Sequence, residues 1–222
     1  MNDILFLIII LIIPVCAQLY INSSYSKYSK IKNDSNKTGY DIAREILDKN
    51  GLKDILILET KGMLTDHYDP RRKTIKLSSS VYKSDTVASI AVASHEVGHA
   101  LQDKDNYLFF KIRGTLVPIV NFTSNIAYFV ILIGFISSIT NLVWIGIILV
   151  SIGVLFELIT LPVEFNASSR ALKEMKNIKD TTTSDINGST IMLKAAALTY
   201  VAGLLTSILQ LLRLIFMADN ND

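Results

Sequence analysis

Two histidines four residues apart, with a glutamate beside the first, make His95-Glu96-Val97-Gly98-His99 the stretch of this chain best suited to do chemistry. Residues i and i+4 share one face of an α-helix, so both imidazoles can reach a single zinc ion at about 2.0–2.1 Å. Glu96 projects beside that face, where it can take a proton from a metal-activated water rather than bind the metal. The chemistry implied is hydrolysis of a peptide bond. Only three histidines occur in the 222 residues, and two of them meet this spacing.

A catalytic zinc takes three protein ligands and leaves a further position open to water. A third histidine six residues past His99 is excluded, because that position is Asp105, and the glycine that would accompany it is Gln102. His67, Asp103 and a distant carboxylate remain. Among these Glu164 is best placed, since it follows Pro162 at the end of an apolar run, in Leu161-Pro162-Val163-Glu164-Phe165-Asn166-Ala167-Ser168. His67 and Tyr68 are candidate donors to the oxyanion that forms during hydrolysis. A strand edge at that point would also take an extended substrate by main-chain pairing.

The elements that must position these groups follow from local pattern. A helix is predicted over 86–102, with Asp85 as its N-terminal cap. Another is predicted over 40–50, with Ile42, Ile46 and Leu47 on one face and Gly51 supplying the exit. Residues 54–59 and 63–67 read as strands around a Lys61-Gly62 turn, and 73–78 as a third after the turn 68–72, giving a small antiparallel sheet. Residues 22–36, rich in Ser, Lys, Tyr and Asn, read as a solvated linker.

Half of the chain is hydrophobic, and the apolar residues fall in blocks. Residues 4–21, 115–139, 142–163 and roughly 195–216 are each long enough for a hydrocarbon core of about 30 Å at 1.5 Å per helical residue. The first block has no basic residue ahead of it and no small-residue cleavage site after it, so it reads as an uncleaved anchor. Residues 22–114 and 164–194 hold 21 of the 22 Lys and Arg residues, which predicts that both face the cytoplasm. The loop 137–141 and the acidic tail 219–222 carry none and belong outside. A net charge of +2, explained by topology, gives no reason to expect a nucleic-acid partner. Cys16 is the single cysteine, which excludes an intramolecular disulfide. Glu157, about two turns before Glu164, would lie deep in a span, where an acid is costly unless paired or hydrated.

Four stretches, in order, resemble the YugP-like bacterial membrane zinc metallopeptidases, which are distantly similar to HtpX-type membrane proteases. They are Asp66-His67-Tyr68-Asp69-Pro70, the run from Ala93 to Gln102, Leu161 to Ser168, and Ala195 to Ala202. The resemblance implies a zincin-like protease with zinc held by His95, His99 and Glu164, and with Glu96 as general base. HtpX-type proteases carry an aspartate four residues after the glutamate ligand, where this chain has Ser168. Ligand orientation must therefore be built differently here, with Asn166, Ser168 and Ser169 as the candidates.

The fold class expected is α+β, a polytopic α-helical membrane protein of about four transmembrane helices with a zincin-like cytoplasmic metallopeptidase domain. Its parts are an N-terminal anchor at 1–21, a zincin-like domain at 22–114 and a transmembrane hairpin at 115–163. A cytoplasmic segment with the third ligand at 164–194 and a last transmembrane helix and tail at 195–222 complete it. The expected partners are the lipid bilayer of the bacterial plasma membrane and polypeptide substrates, foremost membrane or membrane-proximal proteins. The competing reading is a catalytically silent membrane scaffold of the same fold, against which the intact His95, Glu96 and His99 speak.

Overall fold

A computed structural model describes residues 3–62 and 65–219. Met63 and Leu64 of the expected second strand, and residues 220–222 of the acidic tail, lie outside the described residues. The chain divides into two compact units. One comprises Met1–Gln18, Lys111–Pro162 and Leu198–Asp222; the other comprises Leu19–Phe110 and Val163–Ala197.

Among the described residues four helices are long and apolar enough to cross a membrane: α1 (Asp3–Tyr28), α5 (Leu108–Ile136), α6 (Thr140–Met175) and α7 (Thr183–Asp219). Each is longer than the apolar block that predicted it, because helix continues into a polar flank, although α5 stops at Ile136, short of the expected end at 139. In the first unit these helices expose large apolar side chains, among them Phe122, Phe129, Ile136, Ile148 and Phe216. A contiguous apolar exterior on this scale is costly in water and suited to lipid. Val143 and Ile147 pack with Ala218, Leu211 and Leu214. Glu157 lines a cavity of roughly 130 Å³ together with Ser124, Tyr128, Ser207 and Gln210. The Ser207 hydroxyl donates to Glu157 Oε1 at 3.0 Å, so this acid has a polar partner.

The second unit carries the short elements. Helix α2 (Gly39–Lys49) starts at Thr38, whose hydroxyl oxygen accepts from the Asp41 N–H while the Asp41 carboxylate accepts from the Thr38 N–H. Strands β1 (Leu56–Thr60), β2 (His67–Asp69) and β3 (Thr74–Ser78) form one sheet in the order β1-β3-β2. The antiparallel expectation is corrected. β2 is antiparallel to β3, but β1 is parallel to β3, with Leu56 opposite Thr74 and Thr60 opposite Ser78. Alternating side chains identify a strand without naming its neighbour, and here β3 occupies the middle, where Ile75 and Leu77 are fully buried. Two side chains brace the connections. Asp66 accepts from the N–H and the hydroxyl of Ser78 at 2.7 and 3.1 Å. Asp69 accepts from the N–H groups of Arg71 and Arg72 in the turn that ends at Lys73, whose φ is +50°.

A short helix, α3 (Ser79–Lys83), leads to α4 (Val87–Lys104), which carries the histidine pair. Thr86 caps α4 by accepting from the Ser89 N–H, whereas Asp85, the expected cap, pairs with Lys32 at 2.8 Å. Nor is 22–36 a free linker. α1 runs on to Tyr28, which packs against Val87, Ala88 and Ala91, and the Asn33 N–H donates to the Asp85 carbonyl. Buried on almost every side, α4 is built from small residues, Ala88, Ala91, Ala93 and Ala100 among them. One face of it shares a core with Ile42, Ile46 and Leu47 of α2, Ile75 and Leu77 of β3, and Met175.

Candidate metal centre

His95 and His99 stand one turn apart on α4, their rings nearly perpendicular at 84° with centroids 4.8 Å apart. Glu164 comes to them from α6. Its Oε2 lies 3.2 Å from His95 Nε2 and 3.6 Å from His99 Nε2, and the residue is 2 % exposed. Among the described residues these three form the group that could hold a metal ion, one donor atom from each lying within 4.8 Å of the others. Two imidazole nitrogens and a carboxylate oxygen, buried together, are a donor set that suits zinc. His67 and Asp103, the other candidate ligands, are not part of the group.

Gly98 decides how close α6 can come. A Cβ at position 98 would lie 2.3 Å from the Ala167 carbonyl oxygen, so the α6 backbone occupies the space a side chain would need. Ala167 and Glu164 are one turn apart on α6, and the same approach brings the carboxylate to the histidines. Gly98→Ala is expected to push α6 away, costing about 1–3 kcal/mol of stability as overpacking does. Zinc content measured on the purified variant beside its melting temperature should show both falling together.

Glu96 is buried, and its own burial is the main cause that pushes its carboxyl up to about 7. His95 opposes this, Glu164 and Asp66 add to it, and the Tyr68 main-chain N–H, donating to the carboxylate, counters it. A carboxylate poised near neutrality beside a metal-binding group is suited to exchanging protons at physiological pH. Tyr68 is half of the expected oxyanion pair, but its hydroxyl donates to Asp103 Oδ2 at 2.8 Å, an oxygen that Lys73 also approaches at 3.4 Å. Burial and this acceptor hold the phenol well above its usual range. His67 is exposed on the edge strand β2, its Nδ1 2.8 Å from the Thr65 carbonyl. Because a carbonyl only accepts, Nδ1 carries a proton, and Nε2 can donate only when the ring is doubly protonated.

The outer nitrogens of the histidine pair are also engaged. Ser168 Oγ lies 3.2 Å from His95 Nδ1, and Gln102 Oε1 lies 3.0 Å from His99 Nδ1. Of the three residues expected to orient the ligands, Ser168 touches a histidine directly, Asn166 binds Gln102, and Ser169 is exposed. Gln102 was not foreseen in this part. Its position three residues past His99, on the same helical face, was the available signal.

A family model described as "Putative neutral zinc metallopeptidase" matches residues 3–219. The "Putative membrane protease YugP" of Bacillus subtilis (strain 168) is 46 % identical over 204 residues, covering 92 % of this chain and 91 % of that protein. No solved structure matches the chain.

Proposed function

The chain belongs to the zinc metallopeptidase family that it matches almost from end to end, and from that premise we propose an integral-membrane metalloendopeptidase in which His95, His99 and Glu164 hold zinc and Glu96 is the general base. The observation that carries this reading is the convergence of the three donor atoms with Glu96 buried beside them. Zinc bound there supplies a Lewis acid that acidifies water and polarises a carbonyl. Glu96 takes the proton of the attacking water and delivers it to the departing amine. The Tyr68 N–H favours the carboxylate form of Glu96, which is present before the first transfer and restored by the second. β2 lies at the sheet edge, where an extended substrate can add as a further strand. His67 at the start of β2 is the remaining side-chain candidate for contact with the substrate or the oxyanion, while the Tyr68 hydroxyl stays on Asp103.

Along the chain, the unit with the site is interrupted after Phe110 and resumes at Val163, the two ends of an apolar segment. That connectivity favours substrates at or near the bilayer, that is, membrane proteins and their membrane-proximal tails. The purified protein should cleave casein or a membrane-protein substrate, lose that activity to a chelator and regain it with zinc. Failure of zinc to restore a chelator-sensitive activity would count against the proposal.

The placement of 21 of the 22 basic residues supports a cytoplasmic site. A reporter fused after Asp222 is expected to be extracytoplasmic, and single cysteines introduced near Lys83 should resist membrane-impermeant thiol reagents in intact cells. Labelling near Lys83 from outside would invert the topology.

A further inference from the structure

Gln102 is fully buried, and every polar atom of its amide is used. Its Nε2 lies 2.7 Å from the Val163 main-chain carbonyl and 3.0 Å from Asn166 Oδ1. A carbonyl has no proton to give, so the end of the amide that faces Val163 must be the NH₂. Asn166 repeats the constraint, because its Oδ1 also receives Arg170 Nε at 2.8 Å, and a guanidinium only donates. Arg170 is anchored in turn by Asp105 and by the Leu101 carbonyl at the end of α4. Both hydrogens of the Gln102 amide are thereby committed to α6, which leaves Oε1 to face His99 Nδ1 as an acceptor.

We propose that Gln102 is a positioning residue that fixes the tautomer of His99, holding the ring proton on Nδ1 so that the Nε2 lone pair faces the metal position. The inference rests on the zinc reading of the site. Its logic is one of fixed polarity, in which arginine donates, the asparagine oxygen accepts, the glutamine NH₂ donates, the glutamine oxygen accepts and the imidazole Nδ1–H donates. His95 has no equivalent device, since the Ser168 hydroxyl can donate as well as accept.

The test begins with metal-free, ring-¹⁵N-labelled full-length protein, at a pH chosen so that the ring ¹⁵N shifts themselves report neutral imidazoles. The three histidines can be assigned from His67→Ala and His95→Ala. His99 is expected to carry its proton on Nδ1. Zinc affinity, measured by competition with a chelating dye, is then compared in Gln102→Glu and Gln102→Met. Glutamate keeps an oxygen toward His99 and, when protonated, one of the two hydrogens that face α6, so it should weaken zinc less than methionine does. Methionine keeps the size but removes the acceptor. It should release the tautomer and weaken zinc roughly 10- to 100-fold, the usual effect of losing a ligand-orienting partner.

A residue that only fills space would rank the other way, methionine tolerated and a buried acid harmful. That ranking, or a His99 proton on Nε2 in the wild type, would overturn the proposal. If Gln102→Met does not fold, the wild-type tautomer decides alone. Should the wild type bind no zinc, the reading of the site fails, while the tautomer is still read from metal-free protein.

Discussion

Glu96→Gln is expected to bind zinc as the wild type does and to lose hydrolysis by roughly two to four orders of magnitude, the range that a general base supplies. The amide preserves the shape of the side chain and still accepts the Tyr68 N–H, so α4 and the histidine pair should be undisturbed. What it cannot do is take a proton. Elemental analysis of the purified variant beside a peptide-cleavage assay separates the two effects. His95→Ala and His99→Ala, by contrast, should lose metal and activity together. Hydrolysis retained in Glu96→Gln would remove this residue from the reaction.

The second large effect belongs to Glu164, because it supplies the donor from outside α4. Glu164→Ala leaves two imidazoles facing a buried void, and zinc binding should weaken by roughly a thousandfold or more. That is a fraction of the roughly 10–16 kcal/mol typical of structural zinc. Glu164→Asp should also be damaging. Metal distances tolerate only about 0.2 Å, and the shortened side chain falls short by about one carbon–carbon bond while the contact at Gly98 holds the α6 backbone in place. His67→Ala should keep its zinc and lose turnover, since that ring sits on the exposed β2 and not in the donor group. Zinc lost from His67→Ala and kept in Glu164→Ala, measured by dye competition, would overturn the ligand assignment.

Much of this was readable in one dimension, and the rest was hidden for physical reasons. Helix α4, helix α2 and the apolar segments are written in local periodicity, which tertiary structure had no cause to override. Helix ends were less legible. Asp85 and Thr86 are both good caps by type; the helix begins at Val87, which gives the role to Thr86, while Asp85 pairs with the distant Lys32. The parallel pairing of β1 with β3 depends on which faces the helices cover, information absent from alternation alone. The link from Gln102 to Val163 spans 61 positions, and no local rule carries a hydrogen bond that far. Glu164 was within reach because a glutamate just after an apolar run is conspicuous, whereas a glutamine inside a helix is ordinary.

The compact unit that holds the donor atoms is assembled from two stretches of chain, Leu19–Phe110 and Val163–Ala197. Glu164 follows His95 by 69 residues. At the roughly 5–20 residues per second of protein synthesis, the histidine pair exists for several seconds before the carboxylate that completes it has been made. On the proposed reading, the growing chain during that interval has the base and two of the three donors, and no means of holding the metal firmly. Hydrolytic competence, on that reading, therefore waits for a residue made only after the whole apolar segment between Phe110 and Val163 has been synthesised.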